Sequence, residues 1–129
     1  MNFDWSEYYN LAKGLAGWPN VPNAPDSQEE AKLRSSISRA YFAAFCQARN
    51  HLIERGIDIP ENVDSHRIVS DEFANRTDRM SKDIALQLGK LRVSRNRADY
   101  WDHVRRLPEA AKEALKGSRS VLDQLDKLP

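Results

Sequence analysis

The chain has 129 residues, the size of one domain with one core, and it is nearly neutral, with a formal net charge of +1. Val, Ile and Thr together number only 13, and Gly and Pro are 5 and 6, which excludes a large sheet and a turn-rich β architecture. The expected fold class is therefore all-α, an antiparallel bundle of four to five helices with residues 1–129 forming a single domain.

The single cysteine, Cys46, leaves no internal disulfide and points to a reducing cytoplasm. The start Met1-Asn2-Phe3-Asp4 has no secretory pattern. The longest apolar run, Ala40 to Cys46, is far short of the roughly 20 residues that span a bilayer, so no membrane association is expected.

Asp4 can cap a first helix whose apolar residues Trp5, Tyr8, Ala12 and Leu15 recur at three and four. Three prolines between Pro19 and Pro25 end it. Asp26 and Glu29 form a capping box for a long second helix with the stripe Leu33, Ile37, Ala40, Tyr41, Ala44, Phe45, Ala48 and Leu52, and Gly56 is its natural stop. Asp64 or Ser65 opens a short third helix bearing Ile68, Val69 and Phe73. Thr77 or Asp78 starts a fourth, with Ile84, Leu88, Leu91, Arg95 and Ala98 on one seam. Pro108 sits in the first turn of a fifth, whose seam runs Leu107, Ala111, Ala114, Ser118, Val121, Leu125 and Leu128 and predicts antiparallel packing in a bundle.

The charge is unevenly spread: residues 1–30 are acidic, residues 31–106 basic and the tail neutral. A local basic site is compatible with this; a wholly basic coat is not. There is no Gly-rich phosphate loop. His51, His66 and His103 lack metal-ligand spacing, so neither a metal nor a cofactor is expected. Cys46 lies in an apolar run, where a thiol packs rather than reacts.

The segment Leu91 to His103 breaks the pattern, because the fourth seam places arginine where an apolar residue belongs. A buried, unpaired guanidinium costs several kcal/mol, so Arg95 needs a carboxylate, a phosphate or a cleft. Asp99, four residues on, is the local candidate. Asn96, Asp99 and His103 share a face if the helix persists that far. A snorkelling arginine beside a solvated face accounts for the same pattern.

Ser35-Ser36-Ile37-Ser38-Arg39-Ala40-Tyr41-Phe42-Ala43-Ala44-Phe45, then Ser65-His66-Arg67-Ile68-Val69 and Leu91 through Tyr100, together resemble the HEPN family. These are small helical domains of prokaryotic toxin–antitoxin, phage-defence and nucleotidyltransferase-associated loci. The resemblance implies an HEPN-like bundle of four to five helices, usually a homodimer with two motifs meeting at a shared cleft. It also implies that active members are metal-independent RNases, in which an Arg, a polar residue and a His four to six residues on assist attack of a 2′-hydroxyl on its phosphodiester.

Three registers are available here. Arg95-Asn96 places Tyr100 at the four-residue spacing, and a phenol, ordinarily titrating at about 10, is a poor base at neutral pH. Arg97 with His103 meets the spacing but puts Ala98 after the arginine. Arg95-Asn96 with His103 exceeds it.

The catalytic candidates are thus Arg95, Asn96 and His103, and the RNA- or nucleotide-binding candidates Arg92, Arg95, Arg97, Asp99 and Tyr100. Tyr100 and Trp101 can stack on a base or pack against the fifth helix or a dimer mate. Arg39 is expected to form a salt bridge to a neighbouring helix, and His66 to cap the third helix or serve the site. Three functions follow: a bundle with a degenerate RNase motif that binds RNA, a nucleotide or a protein partner such as a cognate antitoxin or nucleotidyltransferase; an active endoribonuclease; or a purely structural bundle.

Overall fold

The structure, a computed structural model, describes residues 2–129. Five helices follow in chain order: α1 (Ser6–Ala16), α2 (Ser27–Glu54), α3 (Ser65–Ala74), α4 (Arg79–Tyr100) and α5 (Leu107–Lys127), with no strand among the described residues. No helix is long and apolar enough to cross a membrane.

Local chemistry sets most of these boundaries. At the start of α2 the Asp26 carboxylate accepts the Glu29 N–H at 2.8 Å, while the Glu29 carboxylate accepts the Asp26 N–H at 3.1 Å. Its C-terminus is followed by Gly56 at φ 86°, a conformation that side-chain-bearing residues avoid. Asp78 caps α4 by accepting the Ser81 N–H at 2.8 Å. Pro108 opens α5 where a missing N–H leaves no unmet bond.

Three expectations shift. The cap position of α1 is Trp5, and Asp4 acts from one residue further out, accepting the Ser6 N–H at 3.0 Å. The fully buried face of α1 is Tyr9, Ala12 and Ala16, with Trp5, Tyr8 and Leu15 only partly covered. Asp64 holds the cap position of α3, but its side chain caps nothing.

The stripe of α2 is buried throughout, and Ala40, Ala43, Ala44 and Ala48 have no exposed surface. Small side chains along one helix let its neighbours approach closely, and α2 packs against all four other helices. Each fully covered Leu, Ile or Phe in this core contributes roughly 1.5–3 kcal/mol by burial. Ser36 Oγ donates to the Ala12 carbonyl at 2.7 Å and pins α1 to α2.

Helix directions follow from contacts between ends. Arg34, early in α2, reaches the end of α4, and Asp83, early in α4, accepts from Gln124 late in α5 at 2.7 Å, so both pairs are antiparallel. Arg55 at the end of α2 donates to the carbonyl of Pro129 at 2.9 Å. Helices α2 and α5 therefore run parallel, which refines the uniformly antiparallel bundle expected from the α5 seam. Where α4 and α5 meet, a Cβ on Gly117 would lie 3.2 Å from Gln87 Oε1, so glycine keeps this crossing tight.

Candidate functional site

Positions 92, 95, 96 and 99 share one face of the last two turns of α4, by the three- and four-residue spacing of a helix. The Arg95 Nε lies 2.9 Å from Asp99 Oδ2, with the two side chains 21 % and 26 % exposed. The contact lies off the N–H axis, so it is an ion pair rather than a linear hydrogen bond. Arg95 Nη1 donates to Asn96 Oδ1 at 3.0 Å. The guanidinium also lies 5.1 Å from the Phe42 ring and 5.6 Å from the Tyr100 ring. Its Nη2 makes no hydrogen bond among the described residues. The arginine on the core seam is thus tolerated by a carboxylate, an amide and two ring faces together.

The opposing wall comes from α2, where Arg34, Ser38 and Phe42 follow one another at four-residue spacing. Ser38 Oγ donates to Asp99 Oδ2 at 3.2 Å and holds the carboxylate toward Arg95. Arg34 donates to the carbonyls of Ala98 at 3.0 Å, Trp101 at 2.6 Å and Asp102 at 2.9 Å. The Ala98 and Trp101 carbonyls are among those that a helix C-terminus leaves without intrahelical partners, and Asp102 follows directly in the linker, so one guanidinium from α2 caps α4 from outside. Sequence reasoning missed Arg34, Ser38 and Phe42. Their common spacing, one step off the apolar stripe, was the available signal.

Beside this groove α3 contributes His66. The Tyr41 hydroxyl bonds its Nδ1, and its ring stacks on Phe45 at 4.2 Å between centroids. Burial, then the charges of Arg92 and Arg95, hold the imidazole below its ordinary range. Burial pushes the Tyr41 phenol up. Tyr41, His66, Ser70 and Arg92 line a cleft of about 190 Å³.

The remaining sequence candidates do not all converge. Arg97 lies apart from Arg92 and Arg95: it lines the groove between α4 and α5 and sits 5.2 Å from the Trp101 ring. His103 does not extend the Arg95 face, because α4 ends at Tyr100 and Trp101 is already extended at ψ 136°. Tyr100 and Trp101 are 72 % and 56 % exposed, with the Arg95 guanidinium beside the first ring and that of Arg97 beside the second. Arg39 forms no salt bridge among the described residues and instead lies 4.9 Å from the Tyr8 ring. His66 bonds Tyr41 and does not cap α3. Cys46 is buried, and burial raises its thiol.

A concavity of about 1000 Å³ lies between α4 and α5 and is lined by Leu86, Gly89, Val93, Ala114 and Gly117 among others. Arg95 is not among its lining residues, which also include Lys90, Arg97, Glu113 and Lys116. Among the described residues no cluster of His, Cys, Asp and Glu could hold a metal ion.

Comparison with known proteins bears on what this arrangement is. Neither the curated proteins nor the solved structures yield a match. The family model described as HEPN domain matches residues 20–128, taking in α2 through α5 and every element of the groove. The chain belongs to the HEPN family of nucleotide-binding and RNase-type helical domains.

Proposed function

We propose that the chain binds single-stranded RNA across the last two turns of α4 without cleaving it. Arg92 and Arg95 take the phosphates, and the exposed ring of Tyr100 stacks on a base. The observation that carries this reading is the state of Arg95. Its guanidinium is held by Asn96 and Asp99, and among the described residues its Nη2 makes no hydrogen bond and the neighbouring Arg92 has no carboxylate partner, while the Tyr100 ring beside it is exposed. A pre-positioned guanidinium loses little freedom on meeting a phosphate, and its planar donors suit that ligand. Binding without cleavage is supported by the end of α4 at Tyr100, which leaves no histidine on the Arg95 face of that helix.

A second reading, an active metal-independent endoribonuclease, draws on one observation. Arg34 fixes the carbonyls of Trp101 and Asp102, so the linker is anchored up to the residue before His103. On that reading His103 takes the 2′-hydroxyl proton, the oxygen attacks the adjacent phosphorus, and the 5′-oxygen leaves with the bond pair, taking a proton from water, to give a 2′,3′-cyclic phosphate. Arg95 balances the added negative charge. The partners either reading calls for are a second copy of the chain and, in a toxin–antitoxin or phage-defence setting, a cognate antitoxin or nucleotidyltransferase.

The test is fluorescence anisotropy with a labelled oligoribonucleotide in EDTA, followed by gel analysis of the same RNA. Binding that weakens in Arg95→Ala, more at low salt than at high salt, with the RNA left intact, is the expected result. Cyclic-phosphate ends lost in His103→Ala would establish the second reading. RNA affinity equal in wild type and Arg95→Ala would overturn both.

A further inference from the structure

The cleft beside the Arg95 groove is built from three helices, and Arg92 is the polar group it shares with the groove. Its wall holds Tyr41 from α2, His66 and Ser70 from α3, and Arg92 from α4. The Tyr41 side chain is almost fully buried, and its hydroxyl has no partner among the described residues other than His66 Nδ1. A buried hydroxyl proton without another acceptor costs on the order of 1–3 kcal/mol, so the phenol donates and Nδ1 accepts. That assignment fixes the imidazole tautomer: a neutral ring accepting at Nδ1 carries its proton on Nε2. Nε2 lies on the opposite edge of the ring, has no protein partner among the described residues, and is not closed off from solvent. The ring itself is held flat against Phe45.

The charged and titratable groups around this ring are Tyr41 from α2, Arg92 and Arg95 from α4, and Arg67 and Asp71 on α3 itself. Arg67 and Asp71 pair with each other at 3.4 Å, so they add little net charge. Arg92 has no carboxylate partner among the described residues, which leaves the cleft with a net positive rim. A neutral N–H donor beside a free guanidinium is a combination suited to an anion.

We propose that this cleft is a phosphate subsite, in which His66 Nε2–H and the Arg92 guanidinium hold the oxygens of a nucleotide phosphate next to the one held by Arg95. Ser70 Oγ, one turn beyond His66, supplies a further donor. Tyr41 acts as a positioning residue, since its bond to Nδ1 keeps the proton on the nitrogen that faces the ligand. The ligand assignment rests on the RNA-binding reading; the donor geometry does not.

The experiment combines binding with tautomer detection. Affinity for a labelled oligoribonucleotide is measured for wild type, His66→Phe, His66→Gln and Tyr41→Phe, with thermal melts on each. Imidazole nitrogen resonances are recorded with and without the oligoribonucleotide, a nucleoside monophosphate and inorganic phosphate. Wild-type spectra should show the proton on His66 Nε2. His66→Phe should bind RNA about ten-fold more weakly, the scale of one hydrogen bond to a charged group, and His66→Gln should recover most of the loss through its amide N–H. Tyr41→Phe should mix the tautomers and weaken binding by a smaller factor.

A shift of the Nε2–H signal with the oligoribonucleotide alone assigns the cleft to a polymer phosphate. An equal shift with the monophosphate assigns it to free nucleotides. If wild type binds RNA, Arg95→Ala weakens it, and a normally melting His66→Phe binds as wild type does, the subsite is wrong and the RNA reading stands. If RNA does not bind but inorganic phosphate shifts the Nε2–H signal, the RNA reading fails and the subsite stands.

Discussion

Replacing Arg34 with alanine should loosen the end of α4 and with it the groove, although Arg34 contacts no proposed ligand. The side chain is 19 % exposed and makes three hydrogen bonds to carbonyls at the end of α4, besides a 3.3 Å contact with Glu30. The carbonyls of Trp101 and Asp102 belong to exposed residues and can turn to water at little cost. The Ala98 residue is buried, so its carbonyl loses a charged donor without replacement, worth about 1.5–3 kcal/mol. The Glu30 pair, with one partner 45 % exposed, adds no more than about 0.5 kcal/mol.

A total of about 2–3 kcal/mol lowers the melting temperature of a chain this size by about 7–11 °C. Arg34→Lys should recover less than half, because one ammonium cannot span three carbonyls. Hydrogen exchange should speed up in the last turn of α4. RNA affinity should fall with no change in its salt dependence, whereas Arg92→Ala should reduce the salt slope by about one unit. An Arg34→Ala protein that melts with the wild type and keeps its slow amides in α4 would refute the capping argument.

Acid should destabilise the fold through its two inward histidines. Burial, with nearby arginines, lowers both His51 and His66, so below about pH 6.5 the unfolded chain binds more protons than the folded one. Stability is then complete above that pH and lost as the pH falls; a melting temperature flat down to about pH 5 would contradict this, and His66→Phe should remove part of the fall. The Cys46 thiol, buried and raised, should resist a disulfide reagent in the native state and react fully once denaturant is added. Light scattering should give the mass of a homodimer at micromolar concentration, and a monomer would remove the paired-groove arrangement.

Much of the framework was legible in the residues themselves. The Asp26–Glu29 capping box, the α2 stripe and the α5 seam each combine a local signal with a burial pattern, and both read the same way in three dimensions. Arg95 was legible for the opposite reason: a charge on an apolar seam demands a partner, and Asp99 stood one turn away.

What could not be read depended on distant chain. Nothing between Trp101 and Arg106 forbids helix, so the end of α4 before His103 is marked by no local breaker, while Arg34, over sixty residues earlier, holds the carbonyls there. Adjacent tyrosines fit the first helix equally well by period. Tyr9 was chosen by packing, with Arg119 of α5 lying 5.2 Å from its ring. The Tyr41–His66 bond joins residues on separate helices, and no spacing rule announces it. Arg97 was grouped with Arg92 and Arg95 by composition, yet helical phase turns it toward α5.

The central claim is that RNA meets this protein where Arg92, Arg95 and Tyr100 line the end of α4. Its most direct test is amide chemical-shift mapping during titration of a short single-stranded oligoribonucleotide into the isotope-labelled chain. Shifts are expected at Arg92 through Trp101, at Ser38 and Phe42 on the facing wall of α2, and at His66 and Ser70 in the adjoining cleft. Shifts confined to the groove between α4 and α5, around Leu86, Ala114 and Gly117, with the Arg95 region unmoved, would contradict it.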